Sequence, residues 1–320
     1  MIAVLGINTA IDHLMQVDEL RLGEVNRAAH EQVLPGGKGL HVAQTVAALG
    51  EPVQLIGLID AAHRNLTARH LSERGVLFHG VEIDAPLRHC IALRDARGQI
   101  TEVLGQGPQL GERDRGALQR AFRRALEESD LVVLSGSLPR GLADGTYAEL
   151  AEQVHAAGKR CLVDASGEAL RQVVAARPFL LKPNRDEAEA LFGRVIDGVE
   201  AAVAALRELH ARGVAMPVLS LGALGAVGMD GDGAWHASVE LEQVRNTVGS
   251  GDCFLAGMAV AIARGEPLRE ALRLAVACGG ANAVGEETGC VERREVDAQL
   301  EKVQLRSLDA RSSNNSKPER

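Results

Sequence analysis

Aromatic residues are scarce in this chain. Five Phe, one Tyr and one Trp stand among 320 residues, against 35 glycines. So few rings exclude a base-stacking nucleic-acid platform and an aromatic sugar trough. Positive charge is also short, with 35 Lys and Arg against 43 Asp and Glu for a formal charge of −8. A duplex nucleic-acid binder needs a basic face, so no nucleic-acid partner is expected. A small positive pocket for an anionic metabolite stays compatible with that balance. No apolar run approaches the roughly 18 residues of a membrane span, and MIAVLGINTAIDH has no basic leader region. The expectation is a soluble, cytoplasmic protein without a membrane partner.

Two further absences concern metals and disulfides. Cys90, Cys161, Cys253, Cys278 and Cys290 form no CxxC, and the ten histidines form no HxxxH or HxxH pair. A disulfide framework and a histidine-built metal site are both disfavoured, and the cysteines read as inert core residues.

What is present is a chain 46% hydrophobic, long enough for a full core. Short β-branched runs alternate with amphipathic stretches. Strands are predicted at Ile2–Ile7, Val53–Ile59, Leu131–Ser135, Arg160–Asp164, Phe179–Lys182 and Val218–Leu221. Helices are predicted near Lys38–Leu49, Ala61–Glu73, Glu112–Glu127, Asp144–Ala156, Arg185–Phe192 and Val199–Ala211. Unbroken apolar strands such as LVVLSG suit a parallel sheet covered on both faces, so the pattern predicts a doubly wound α/β fold.

Two segments break the rhythm, residues 8–34 and 87–104. Both alternate, and Arg97-Gly98 sits between two strand-like halves as a turn. They predict antiparallel strands projecting as a small β-lid, or else an ordinary extension at one sheet edge. From Gly251 to about Gly285 the chain is small-residue helix that must pack closely, and residues 305–320 have no apolar period and are expected to be disordered. No linker divides residues 1–304, which read as a single domain.

Three motifs carry chemistry. In NTVGSGDCFLAG, Gly249, Ser250 and Gly251 precede an apolar helix. Free amides at a helix start make an anion site, and Asp252 in the first turn could take a proton from an attacking hydroxyl. The plainer reading makes Asp252 a helix cap. In LPGGKGLHVAQ, Lys38 sits among glycines beside a helix start, which suits an anion or polyol, although the spacing is not a Walker A loop. In LKPNRDEAEAL, Asn184 and Glu187 stand at i and i+3. They form a capping box or, functionally, order magnesium-bound water near a nucleotide. SGSLPRG and LSLGALGAVGMDG are weaker loop signals.

Taken in order, these motifs resemble the PfkB (ribokinase-like) carbohydrate kinases. The likeness is greatest to the branch of 1-phosphofructokinase, tagatose-6-phosphate kinase and minor 6-phosphofructokinase, and it covers about residues 1–303. The resemblance implies a three-layer α/β core with a mostly parallel sheet, ATP and Mg²⁺ as cofactors, and a homodimer formed through the β-lid. Carried over by position, it implies Asp252 as catalytic base with Gly249, Ser250 and Gly251 as the anion hole. Asp12, Gly36, Gly37, Lys38 and His41 would bind the sugar, and Arg27, Arg88 and Ser137 its existing phosphate. Lys182, Asn184, Ser220, Gly222 and Gly225 would line the ATP site, with Asn184 and Glu187 holding the metal through water.

Three positions depart from the family pattern: Thr9 replaces a proline, His41 an asparagine, and Leu104 another asparagine. These bear on the sugar rather than on the reaction. The resulting expectation is ATP-dependent phosphorylation of a ketohexose monophosphate. The alternatives are a kinase of an unphosphorylated sugar or a nucleoside, or a non-catalytic sugar-binding protein.

Overall fold

The computed structural model describes residues 1–308. In chain order the first strands are β1 (Ile2–Gly6), β2 (Ala10–Gln16), β3 (His30–Gly36), β4 (Val53–Ile59), β5 (Leu77–Glu82), β6 (Arg88–Arg94) and β7 (Ile100–Leu104). The later ones are β8 (Leu131–Ser135), β9 (Arg160–Asp164), β10 (Leu180–Leu181), β11 (Met216–Ser220), β12 (Ala226–Asp230), β13 (Gly233–Ser238) and β14 (Gln304–Ser307). The helices are α1 (Lys38–Ala48), α2 (Arg64–Glu73), α3 (Glu112–Glu128), α4 (Thr146–Ala156) and α5 (Gly167–Ala175). They continue with α6 (Arg185–Phe192), α7 (Gly198–Ala211), α8 (Ser250–Ala263), α9 (Leu268–Val284) and α10 (Arg293–Leu300).

A ten-stranded sheet has the order β14-β13-β12-β11-β10-β9-β8-β1-β4-β5. From β11 to β5 every pairing is parallel, and β12, β13 and β14 add an antiparallel edge. Burial explains why the central strands are apolar at every position. In β8, Val132 and Leu134 join the core under α3, α4, α5 and α7, whereas Leu131 and Val133 join the core under α1, α8 and α9. Two separate cores flank one sheet, which gives three layers. Helix α8 is buried along almost its whole length, because α1 and α9 cover it on top of the sheet. A helix enclosed in this way must be apolar all round. Its spacing from α9 is set by Gly257, where a Cβ would lie 2.7 Å from the Ala275 Cα. Among the described residues no helix is long and apolar enough to cross a membrane.

The two alternating segments form a separate four-stranded sheet, β3-β2-β6-β7. One expectation is corrected here: β2 and β6 pair in parallel, while β2–β3 and β6–β7 are antiparallel. The cause lies in the main sheet. There β1 leads directly into β2 and β5 into β6, and β1, β4 and β5 are parallel, so their continuations leave in the same direction. At the β6–β7 turn the Asp95 carboxylate accepts from the Arg97 and Gln99 amides, each at 2.9 Å.

A second correction concerns the chain end. Residues expected to be disordered from 305 onward begin with β14, whose backbone pairs with β13 and whose Leu305 packs on the core. An edge strand needs backbone partners and one apolar contact, not an apolar run. The remainder of that expected tail, residues 309–320, lies outside the described residues.

Candidate active site

Between the carboxyl ends of the parallel strands and the four-stranded sheet lies a cleft of about 1250 Å³. Ligands of open α/β sheets bind outside the carboxyl ends of the strands, where the connecting loops offer free backbone and side chains. Asp164 ends β9, Lys182 follows β10 and Ser220 ends β11, while α1 and α8 start at the same rim.

The start of α8 is left open by its geometry. Gly249 takes a left-handed conformation, φ 81°, and no side chain caps the helix. The Asp252 and Cys253 amides both turn back to the Gly249 carbonyl, at 3.0 and 2.9 Å. Among the described residues, the Gly249 and Gly251 amides meet no protein acceptor. Asp252 is 5% exposed and lines the cleft, so it does not serve as an N-cap. Ser250 is tied back by its hydroxyl, which accepts from Asn282 Nδ2 at 2.9 Å.

Beside this helix start sits a charge cluster that the sequence reading missed. The Asp164 carboxylate is 1% exposed and has Lys182 Nζ at 3.2 Å and Lys38 Nζ at 3.7 Å from Oδ2. Burial acts to raise the Asp164 carboxyl, but the two ammonium charges outweigh it and hold it below the usual carboxylate range. Lys38 is in turn raised above its ordinary value, chiefly by the Asp164 charge, with Asp252 and Glu187 adding to it. The signal for Asp164 was present, since an acidic residue closes the apolar strand RCLVD at the ligand-bearing edge.

His41 occupies the floor of the cleft. Its Nδ1 lies 2.9 Å from Asp252 Oδ2 and its Nε2 3.4 Å from Asp12 Oδ2. Burial opposes charge on the ring, yet the bonds to the two carboxylates outweigh it and raise the imidazole from 6.5 to about 9. Asp12 itself lies over Gly36, where a Cβ would fall 1.9 Å from Oδ2. Gly36 therefore supports Asp12 from below and does not line the cleft.

The other expected residues divide clearly. Gly37, Arg88, Ser137, Gly222 and Gly225 line the cleft with Lys182 and Ser220. Ser137 Oγ accepts from Asn8 Nδ2 at 2.8 Å, and Arg88 Nε donates to the Asn8 carbonyl at 3.0 Å, so Asn8 organises both. Arg27 is not brought to the cleft. It is exposed on the long loop between β2 and β3 and is not among the residues that line the cleft. Asn184 and Glu187 form the capping box, with Glu187 N–H donating to Asn184 Oδ1 at 2.8 Å and Asn184 N–H to Glu187 Oε2 at 2.9 Å. Asn184 still lines the cleft, whereas Glu187 is not among its lining residues, and among the described residues Glu187 Oε1 meets no donor.

Removing the charge of Asp164 leaves the Lys182 ammonium, 3% exposed, without its buried partner. Asp164→Ala should destabilise the protein by about 3–5 kcal/mol, read from urea unfolding. A loss below about 1 kcal/mol would mean that the cluster is solvated like a surface pair.

Comparison with known proteins places the chain in a family. The profile of the pfkB family carbohydrate kinases matches residues 1–292. The chain is 32% identical over 292 residues to 1-phosphofructokinase of Bacillus subtilis (strain 168), covering 91% of this chain and 95% of that one. It is 36% identical over 278 residues to 1-phosphofructokinase of Rhodobacter capsulatus, covering 86% and 88%. Phosphofructokinase-2 from Escherichia coli, solved in complex with substrates and products, superimposes with a TM-score of 0.88 at 26% identity, covering 94% and 98%. With a matching profile over nearly the whole chain and a cleft that carries open amides beside a carboxylate, this protein belongs to the pfkB family of carbohydrate kinases and is an ATP-dependent kinase.

Proposed function

We propose that the chain transfers the γ-phosphoryl group of ATP to a hydroxyl of a fructose phosphate, with fructose 1-phosphate the first choice. The observation that carries this reading is the open start of α8, with Asp252 and two unpartnered amides facing one cleft. Sugar and phosphate choice rest on the two 1-phosphofructokinases, each more than 30% identical to this chain.

In this reading the acceptor hydroxyl lies against Asp252, which takes its proton as the new O–P bond forms and the bond to the ADP oxygen breaks. The Gly249 and Gly251 amides receive the charge that develops on the transferred group, a preorganised arrangement that needs no reorientation during the reaction. Lys38 and Lys182 stand on the Asp164 side and add positive charge around the phosphates. Asp12, Gly37 and Lys38 hold the sugar, and Arg88 with Ser137 its phosphate. Ser220, Gly222 and Gly225 border the nucleotide, whose base rests among Val239, Leu241 and Phe254.

The residues present fit a water-held magnesium ion. Among the described residues no group of three or more His, Cys, Asp or Glu could hold a metal alone, so a dedicated protein cage is absent. Mg²⁺ favours waters and phosphate oxygens with one or two protein groups. Asn184 and the free Glu187 Oε1 would supply these, and the ion would add charge on the transferring phosphoryl.

A homodimer through the four-stranded sheet is part of the same reading. Val33 and Val103 are exposed apolar side chains on the face of that sheet turned away from the cleft, and a partner sheet would cover them. Sedimentation equilibrium should give twice the chain mass, and a monomer at micromolar concentration would remove this part.

Asp252→Asn should lower kcat by roughly 10²–10⁴-fold in an ADP-release assay with little change in either KM. A near-native kcat would leave Asp252 without a chemical role. For Arg88→Ala the expected effect is on binding: losing a charge-assisted contact to phosphate costs about 1.5–3 kcal/mol, or roughly 10- to 150-fold in KM for the sugar phosphate. Equal damage to the KM for ATP would argue that Arg88 only supports the fold.

A further inference from the structure

His41 is held more completely than contact with a substrate hydroxyl requires. Its side chain is 8% exposed, and both nitrogens face carboxylates. Gly289 walls the ring from behind. That residue has φ 63°, and a Cβ there would fall 2.2 Å from His41 Cγ, so only a glycine leaves room for the imidazole. Gly289 is itself pinned on both sides. Its N–H donates to Asn282 Oδ1 at 2.8 Å, and its carbonyl accepts from Gln44 Nε2 at 2.5 Å. Through its Nδ2, the same Asn282 donates to the Val248 carbonyl and the Ser250 hydroxyl, each at 2.9 Å, at the start of α8. One asparagine thus ties the wall behind the ring to the helix that carries Asp252.

We propose that His41 is a positioning residue for phosphoryl transfer, its two ring N–H groups holding Asp252 Oδ2 and Asp12 Oδ2 together and leaving Asp252 Oδ1 for the acceptor hydroxyl. This rests on the assignment of Asp252 as the base. An asparagine at the same place, with its shorter side chain, could not span both carboxylates from this site on α1.

The bridge depends on charge. Only the imidazolium has two donors, whereas the neutral ring has one donor and one acceptor and can hold a single carboxylate. The groups that act on the ring are Asp12 from β2, Asp252 from α8, Glu102 from β7 and His70 from α2, with Glu287 beyond His70 and Lys38 one turn away on α1 itself. Two carboxylates at bonding distance keep the ring charged to about pH 9. Above that pH the bridge opens.

The test is steady-state kinetics of the wild type, His41→Asn and His41→Gln between pH 6 and pH 10, by ADP release from fructose 1-phosphate. The wild type should lose kcat along an alkaline limb centred near pH 9. Both variants should have kcat lower by roughly 10- to 100-fold at neutral pH, the scale of a misplaced reacting group, with KM for ATP within about twofold. Their alkaline limb should be absent. Both signatures are required, so a lowered kcat that keeps the limb, or a lost limb with unchanged kcat, overturns the proposal. Should neither variant fold, histidine ¹⁵N spectra of the wild type decide. One ring protonated on both nitrogens until about pH 9 is expected, and all rings neutral by about pH 8 overturns it. Asp252→Asn separates the two levels. If that variant keeps kcat, the base assignment fails and takes the positioning role with it; if it is inactive while the His41 signatures are missing, the positioning role alone fails.

Discussion

The site depends on an uncapped helix start held in place by burial. A helix N-terminus can receive phosphate oxygens only while its first amides stay free, and free amides favour fraying. Here the apolar body of α8 lies enclosed by α1, α9 and the sheet, so the helix cannot tilt or unwind from its open end. Packing along the helix thus supports amides that do nothing for stability themselves. Asp252, one turn in, gains a direction as well as a position from the same packing.

Around that helix start the charges are arranged in shared sets. Asp164 serves both Lys38 and Lys182, and His41 serves both Asp12 and Asp252. Each set joins residues from separate elements of the chain, so distant segments are coupled by buried electrostatics. The chain carries a net charge of −8, yet Lys38, Arg88 and Lys182 all reach the cleft, where carboxylates such as Asp164 hold the lysines in place. In a site of low dielectric, removing one member leaves a charge that water cannot easily reach.

The sequence by itself determined the α/β class, the parallel core, the two alternating segments and the motifs at the cleft. These are local properties. An apolar run bounded by glycine, a lysine among glycines or a carboxylate after a glycine turn can be read without knowing what lies opposite. Elements with weak local signals escaped: β5 and β13 are partly exposed and carry no unbroken apolar run, and α5 and α10 are only two to three turns long. The tertiary structure alone decided which distant residues meet. It made β2 and β6 parallel because they extend parallel strands, turned residues 304–307 into an edge strand, and left Arg27 outside the cleft. It also revealed Asp164 between two lysines and His41 between two carboxylates, pairs separated by up to 211 positions in the chain. Contacts across such separations have no periodicity or spacing to read, since they are set by how layers stack and not by the order of residues along one element.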